Sequence, residues 1–375
     1  MNDNIAGLIF ADSYGLEVEG ITDTRSHAAV PFGARYRVID FTLSNMMNAG
    51  VKDIGIITTQ NYYSLMRHVG EGGPWDYNRK NYKLMFLPPF CSEHVGSVYD
   101  NRLEAMQCNL VYLEQLQSDY VLISGSDYVA NIDFRKMLDY HIESKADITG
   151  LCTRKILNTT AGEEMTSYKV DEDNNILQVV ISPEIENGDY WAPNVYIMSR
   201  MYLIDMLEKT LKQHMHSFRR DVIKAAIDKG LKVKAYETEE TLLYLDDIPG
   251  YLQSSLKLLE RDTRKALFQR ENAPIITHVK DSAPTRYSGQ ATANNSLIAD
   301  GVVIEGTVRN SIIFRGVRIK KGAVVENSVV MQDAIVGENA KLNYCVLDKN
   351  CVINDGRNLS GYLTHPFYVK RKSVI

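Results

Sequence analysis

The sequence predicts an α/β domain built on a parallel sheet, followed by a parallel β-helix. Three observations carry that reading. The N-terminal region runs as an apolar strand (Ile5 to Ala11), a long polar loop, a helix-like segment (Phe41 to Ala49, stopped by Gly50) and a second apolar strand (Ile54 to Thr58). That succession is the opening of a parallel α/β sheet. The C-terminal region repeats units of the type Asn-Ser-x-Ile, beginning at Asn295, Asn310 and Asn327 with a cousin at Asn343, a quasi-period of about 15–17 residues. The length, 375 residues, is enough for two domains.

Bulk properties bound the function. Hydrophobic content of 45% and charged content of 24% are those of a soluble globular protein. A net charge of -5 leaves no basic surplus for nucleic acid or an anionic membrane. No run approaches membrane-spanning length, and the N-terminal apolar run is too short for a signal peptide. The five cysteines are odd in number and lack metal-ligand spacing. Reduced thiols in the cytoplasm account for them.

Taken in order, the first strand feeds the loop from Asp12 to Arg35. Ligands of open α/β sheets bind beyond the carboxyl ends of the strands, so this loop is the first place to look for chemistry. Leu65, Met66 and Val69 then have the spacing of a core-facing amphipathic helix, with His68 a structural histidine. Tyr120 to Ser124 is a buried-strand signal that ends in Gly125, Ser126 and Asp127. Tyr251 to Phe268 reads as one helix with Leu252, Leu256, Leu259 and Leu267 on a side. Pro and Gly residues mark a linker over 271–290, which divides the chain into 1–270 and 291–375. In the second part Ile304, Ile319, Val336 and Ile353, flanked by glycines, read as coils that each bury apolar residues on the next.

The stretch from Arg25 through Pro31, Gly33, Arg35, Arg37 and Asp40 to Asn45 reads RxxxAVPFGxRYRxIDFxLSN. It resembles the nucleotidyltransferase domain of ADP-glucose pyrophosphorylases (glucose-1-phosphate adenylyltransferases), and the resemblance runs from about Ile5 to about Pro366. The segments NYYSLMRHVG, WDYNRK, LPPF and ISGSDYV resemble the GlgD-type subunit in particular. The resemblance implies a Rossmann-like, nucleotide-diphospho-sugar transferase-like mixed sheet followed by a left-handed parallel β-helix. It also implies the conversion of ATP and glucose-1-phosphate to ADP-glucose and pyrophosphate in glycogen synthesis. By the same resemblance Arg25 would face the nucleotide, and Gly15 would remain from the phosphate loop. Arg35 would lie near an effector phosphate, and Asp127 with Asp246 would hold Mg²⁺ if the chain is catalytic. For Arg25 and Arg35 an ion pair on a polar face is the alternative, and for Asp127 a strand-end turn.

Departures from the family pattern are many. Asp12 and Ser13 stand where the phosphate loop has paired glycines, Glu17 where it has arginine, and His27 where the family has lysine. A carboxylate about 4 Å from a phosphate costs up to ~4 kcal/mol at an effective dielectric near 20. The loop therefore reads as a surface turn rather than a triphosphate cradle. Arg102 and Leu103 are larger than the base-contacting residues they replace, and Ser182 stands in place of the sugar-phosphate lysine. Scaffold kept and machinery lost point to a regulatory partner of a catalytic homologue in a hetero-oligomer, with a sugar-phosphate or phosphate effector. An active enzyme with a rebuilt pocket using Asp127 and Asp246 is the alternative, and a non-catalytic sugar-phosphate sensor is a third.

Overall fold

Strand β1 (Ile5–Phe10) is buried at all six positions. It alternates between two apolar cores, with Ala6, Leu8 and Phe10 in one and Ile5 and Ile9 in the other. Burial on both faces is the mark of a central strand covered by helices. The computed structural model describes residues 4–12, 18, 20–89, 99, 101–155, 165–182, 188–212, 215 and 217–375. Around β1 lie β2 (Asp53–Ile57), β3 (Lys83–Leu87), β4 (Tyr120–Ser124), β5 (Ile148–Cys152), β6 (Tyr196–Ser199) and β7 (Val233–Glu237). Their order is β7-β5-β6-β4-β1-β2-β3. Only β6 runs antiparallel to its neighbours, so the sheet is mixed.

Helix α1 (Val38–Asn48) starts three residues earlier than its apolar pattern suggests. The Asp40 carboxylate accepts the Arg37 N–H at 2.9 Å and caps the first turn. Helix α2 (Tyr63–Val69) buries Leu65, His68 and Val69 and turns Met66 outward. Two further helices matter below: α3 (Arg102–Cys108), and α4 (Phe134–Ser144), which is capped by Asp133. The segment expected as one helix is two, α5 (Ile248–Lys257) and α6 (Arg261–Phe268). The break lets Leu258 and Leu267 both enter one core.

The second part is a left-handed parallel β-helix of three five-stranded sheets. Its first strand, Arg286–Tyr287, pairs with Val303–Ile304 and so begins within the stretch expected as linker. Pairing of Thr292 with Thr307, Thr307 with Val324, Val324 with Lys341 and Lys341 with Asn358 gives one short step and then a constant one. The corner residues Asn295, Asn310 and Asn327 all have positive φ, a conformation asparagine tolerates. At the next coil that corner is Tyr344 rather than Asn343. Asn343 instead accepts the Asn327 amide at 2.9 Å.

The two parts share an apolar core. Val30, Phe32, Val38, Phe41, Tyr251 and Leu252 from the sheet domain pack in one cluster with Ile312, Phe314, Met331 and Val346 of the β-helix. The motif-bearing stretch is thus the interdomain wedge. Its Pro31–Phe32 and Tyr36–Arg37 strands pair as a hairpin, and Gly33 and Ala34 take positive φ in the turn.

Candidate active site

The carboxyl ends of β1, β2 and β4 converge on one polar cluster. Asp12, two residues past β1, is held by its oxygens: one accepts the His27 N–H at 3.2 Å, the other the Thr59 N–H at 3.2 Å and hydroxyl at 2.6 Å. Burial raises the Asp12 pKa, and those hydrogen bonds oppose the rise. In effect this carboxylate occupies two backbone donors, one just past the end of β2 and one at the start of the turn that carries His27. Gly15 and Glu17 lie outside the described residues.

His27 is buried, at the start of a 3₁₀ turn (His27–Ala29). Its Nδ1 lies 2.6 Å from the Ser126 carbonyl oxygen and its Nε2 2.8 Å from the Leu245 carbonyl oxygen. Both partners are acceptors, so both contacts are hydrogen bonds only when each ring nitrogen carries a proton. The ring braces the two segments that carry Asp127 and Asp246, and neither nitrogen is left to meet a phosphate.

Asp127 and Asp246 come together at one end of a short antiparallel ribbon. Leu243 pairs with Val129 and Tyr244 with Tyr128, and the Leu245 N–H donates to the Asp127 carbonyl at 3.0 Å. Both side chains are buried, at 1% and 2% exposure. An Asp246 oxygen accepts the Asp247 N–H at 3.0 Å, and Asp247 caps α5 through Gly250. The Asp127 oxygens accept no hydrogen bond. Their nearest cation is Arg102, Nη2 to Oδ2 at 3.8 Å.

Magnesium takes near-octahedral oxygens at about 2.0–2.1 Å and tolerates little displacement. Among the described residues no group of three or more histidine, cysteine or acidic side chains is placed to hold a metal. Two aspartates leave most of an octahedral shell to be completed by water or by phosphates of a substrate. A dication about 5 Å from the guanidinium of Arg102 would be repelled by roughly 7 kcal/mol at an effective dielectric near 20. With Arg102 in place, these residues do not fit the ion.

Arg25 stands elsewhere than at a nucleotide. Its Nη2 lies 2.8 Å from both oxygens of Asp348 in the β-helix, and its Nη1 lies 3.9 Å from the Met331 sulfur. Both charged groups are buried. Tyr368 and the Lys349 N–H also donate to Asp348. The arginine is therefore an interdomain tie.

Arg35 lines a different cleft, open to solvent, between the hairpin and the β-helix. Its other cationic walls are Arg37, Lys280, Arg315 and Lys349, joined by His68 and His278, and no lining residue is acidic. Arg37 donates to the carbonyl and hydroxyl of Ser64, and burial lowers its pKa to about 10. His68 is tied to Asp40 at 2.5 Å, and burial lowers its pKa. Lys349 is pushed well below the usual lysine range, first by burial and then by Arg37 and Arg25. Sequence reasoning missed Arg315, Lys349 and Asp348. The available signal was the coil period, which puts Arg315, Gln332 and Lys349 in one column of the helix.

On the sugar side, Ser182 ends a strand (Ile176–Ser182) of a separate three-stranded sheet. Asn194 has positive φ, and its carbonyl lies 3.4 Å from Arg102 Nη1. Its side-chain oxygen accepts from Thr166 and Tyr196, while Arg219 donates to Thr166 at 2.7 Å. These groups bond to one another between the sheet that carries Ser182 and the start of β6.

Comparison with known proteins agrees with this architecture. The nucleotidyl transferase family matches residues 6–257, and the GlmU-like C-terminal hexapeptide family matches residues 282–362. Glucose-1-phosphate adenylyltransferase of Bacillus mycoides (strain KBAB4) is 31% identical over 354 residues, covering 93% of each chain. The Bacillus thuringiensis (strain Al Hakam) protein of the same name is 31% identical over 355 residues, again with 93% of each chain covered. That of Bacillus cereus (strain Q1) is 30% identical with the same coverage. No helix among the described residues is long and apolar enough to cross a membrane. With its nucleotidyltransferase sheet, its hexapeptide β-helix and near full-length similarity to these enzymes, the chain belongs to the glucose-1-phosphate adenylyltransferase family.

Proposed function

We propose that this chain is the regulatory, GlgD-type member of a glucose-1-phosphate adenylyltransferase. It is weak or silent alone, assembles with a catalytic homologue in a cytoplasmic hetero-oligomer, and raises or tunes that partner's output of ADP-glucose for glycogen synthesis. The observation that carries the reading is the self-filled strand-end site. Nucleotidyl transfer rests on positioning and on positive charge aimed at the phosphates. Here the Asp12 carboxylate takes the donors, the His27 ring bonds two carbonyls, and Arg102 is aimed at Asp127. In this reading magnesium belongs to the partner's site.

The test is ADP-glucose formation from ATP, glucose-1-phosphate and Mg²⁺ by the chain alone, by a catalytic homologue alone, and by the mixture. Silence alone with severalfold enhancement in the mixture is expected. No enhancement overturns the reading. Turnover by the chain alone, abolished by Asp246→Asn, would establish an active enzyme with a rebuilt pocket.

The basic cleft suits an effector that carries phosphate, whether a sugar phosphate or the inorganic ion. Five arginine and lysine side chains line it without a lining carboxylate, and although Arg315 is paired with Asp300 at 3.0 Å, the balance of charge at the wall is positive and suits an anion. Its pH response has a definite sign. Lys349 has a depressed pKa in the free fold, so it gives up its proton there more readily than in the unfolded chain. A bound anion favours the protonated form. Affinity for the anion should therefore rise as pH falls towards the depressed value of the free fold, with proton uptake on binding wherever the lysine is neutral in the free fold and charged in the complex. Calorimetry in buffers of different ionisation enthalpy reads that uptake, and its absence would contradict the assignment.

A further inference from the structure

We propose that Arg102 is the built-in counter-cation of Asp127: its guanidinium holds the place that a divalent metal ion would take at the end of β4, and the site admits such an ion only when that charge is removed. The inference deepens the reading of a self-filled site, but its test follows metal occupancy rather than turnover, so either can fail alone.

The argument starts from Asp127. Its side chain is 1% exposed, and neither oxygen accepts a hydrogen bond. A buried carboxylate without hydrogen bonds needs a compensating charge. Arg102 supplies it from 3.8 Å, too far for the charge-assisted bond that such pairs normally form at about 2.7–2.9 Å. The carboxylate therefore does not hold the guanidinium. Other groups do. The guanidinium lies 5.2 Å from the centre of the Phe10 ring, at the end of β1, and its Nη1 points to the Asn194 carbonyl just before β6. Asn101 caps α3 through the Glu104 N–H at 2.9 Å, which fixes the helix turn that carries the arginine. Gly125 leaves the room: a Cβ there would fall 2.5 Å from the Asp127 Oδ1 and 2.8 Å from the Arg102 Nη2. Carboxylate, guanidinium and glycine thus form one fitted unit, in which the place beside the carboxylate is already taken by a cation.

The decisive experiment titrates Mn²⁺ into the full chain and follows the free-ion electron paramagnetic resonance signal, with thermal unfolding measured with and without Mn²⁺. Arg102→Gln keeps an unbranched polar side chain at this position and removes the charge. The wild-type chain should take up no Mn²⁺, and its melting temperature should not move. Arg102→Gln should bind a single ion at least about tenfold more tightly than wild type and melt higher when it is present, by a margin set by mass action. Asp127→Asn in the same background should abolish both effects. Wild-type binding as tight as the variant's overturns the proposal, and so does a folded Arg102→Gln chain that takes up none. If charge loss alone unfolds Arg102→Gln, Mn²⁺ should refold it. Failure to do so, while the Arg102→Gln/Asp127→Asn double variant folds, also overturns it.

Discussion

Replacing Arg25 with alanine should destabilise the protein by about 3–5 kcal/mol, the range for breaking a buried ion pair by removing one partner. The loss comes from what is left behind. Asp348 would stay buried with hydrogen bonds from the Tyr368 hydroxyl and the Lys349 N–H but without the guanidinium that contacts both its oxygens. The pair also joins two domains across 323 residues of chain, so the variant should loosen the sheet domain from the β-helix before either core melts. Urea unfolding followed separately by a fluorophore in each domain reads this directly. The companion test removes both charges. Arg25→Met with Asp348→Leu sets two apolar side chains beside Met331 and Val346 and should recover most of the loss, because a matched apolar pair is often as stable as an ionic one. A cost below about 1 kcal/mol for Arg25→Ala would place this pair with exposed, solvent-screened ones and sink the argument.

Lys349→Met should stabilise the free chain, by about 0.5–2 kcal/mol, while weakening its hold on phosphate-bearing anions by about 10–100-fold. Both effects have one source. Lys349 is half-buried beside Arg37, Arg25 and Arg371, with Asp348 opposing them, and its depressed pKa records the cost of keeping it protonated. That cost is absent above about pH 10.5, grows as the pH falls, and levels off below the depressed value. The stabilisation by methionine should follow the same course. An anion in the cleft needs that charge, together with Arg35 from the hairpin, and a charge-assisted hydrogen bond lost from such a site is worth about 1.5–3 kcal/mol. Arg35→Ala should weaken the anion to a similar degree, but with little gain in stability because Arg35 is exposed. Thermal melts and calorimetry with inorganic phosphate or a sugar phosphate separate the two. Unchanged phosphate affinity in Lys349→Met would show that the cleft is not the effector site.

Some elements were legible because local physics decides them. The unbroken apolar run of β1 could only be a doubly covered strand, and the glycine after Ala49 could only end a helix. The coil period was visible because each coil of a β-helix must repeat the apolar residues of the one before. Other elements turned on detail the pattern does not carry. Met66 has core spacing but lies on the outer side of a two-turn helix. The long C-terminal helix of the sheet domain breaks at Leu258 because both halves are drawn to the interdomain core.

Apolar period, turn residues and motif spacing are properties of short segments, so the succession of sheet domain and β-helix, the family scaffold and the chemical types gathered at the strand ends could be read from the residues alone. Where the charges go was set by the packed fold. It set Arg25 on Asp348, Arg35 in a cleft walled by Arg315 and Lys349, His27 between two carbonyls, and Arg102 beside Asp127. The physical reason is that a long cationic side chain reaches several ångströms and takes whichever acceptor burial leaves unpaired. That acceptor belongs to another segment of the chain, brought close only when the two cores have closed.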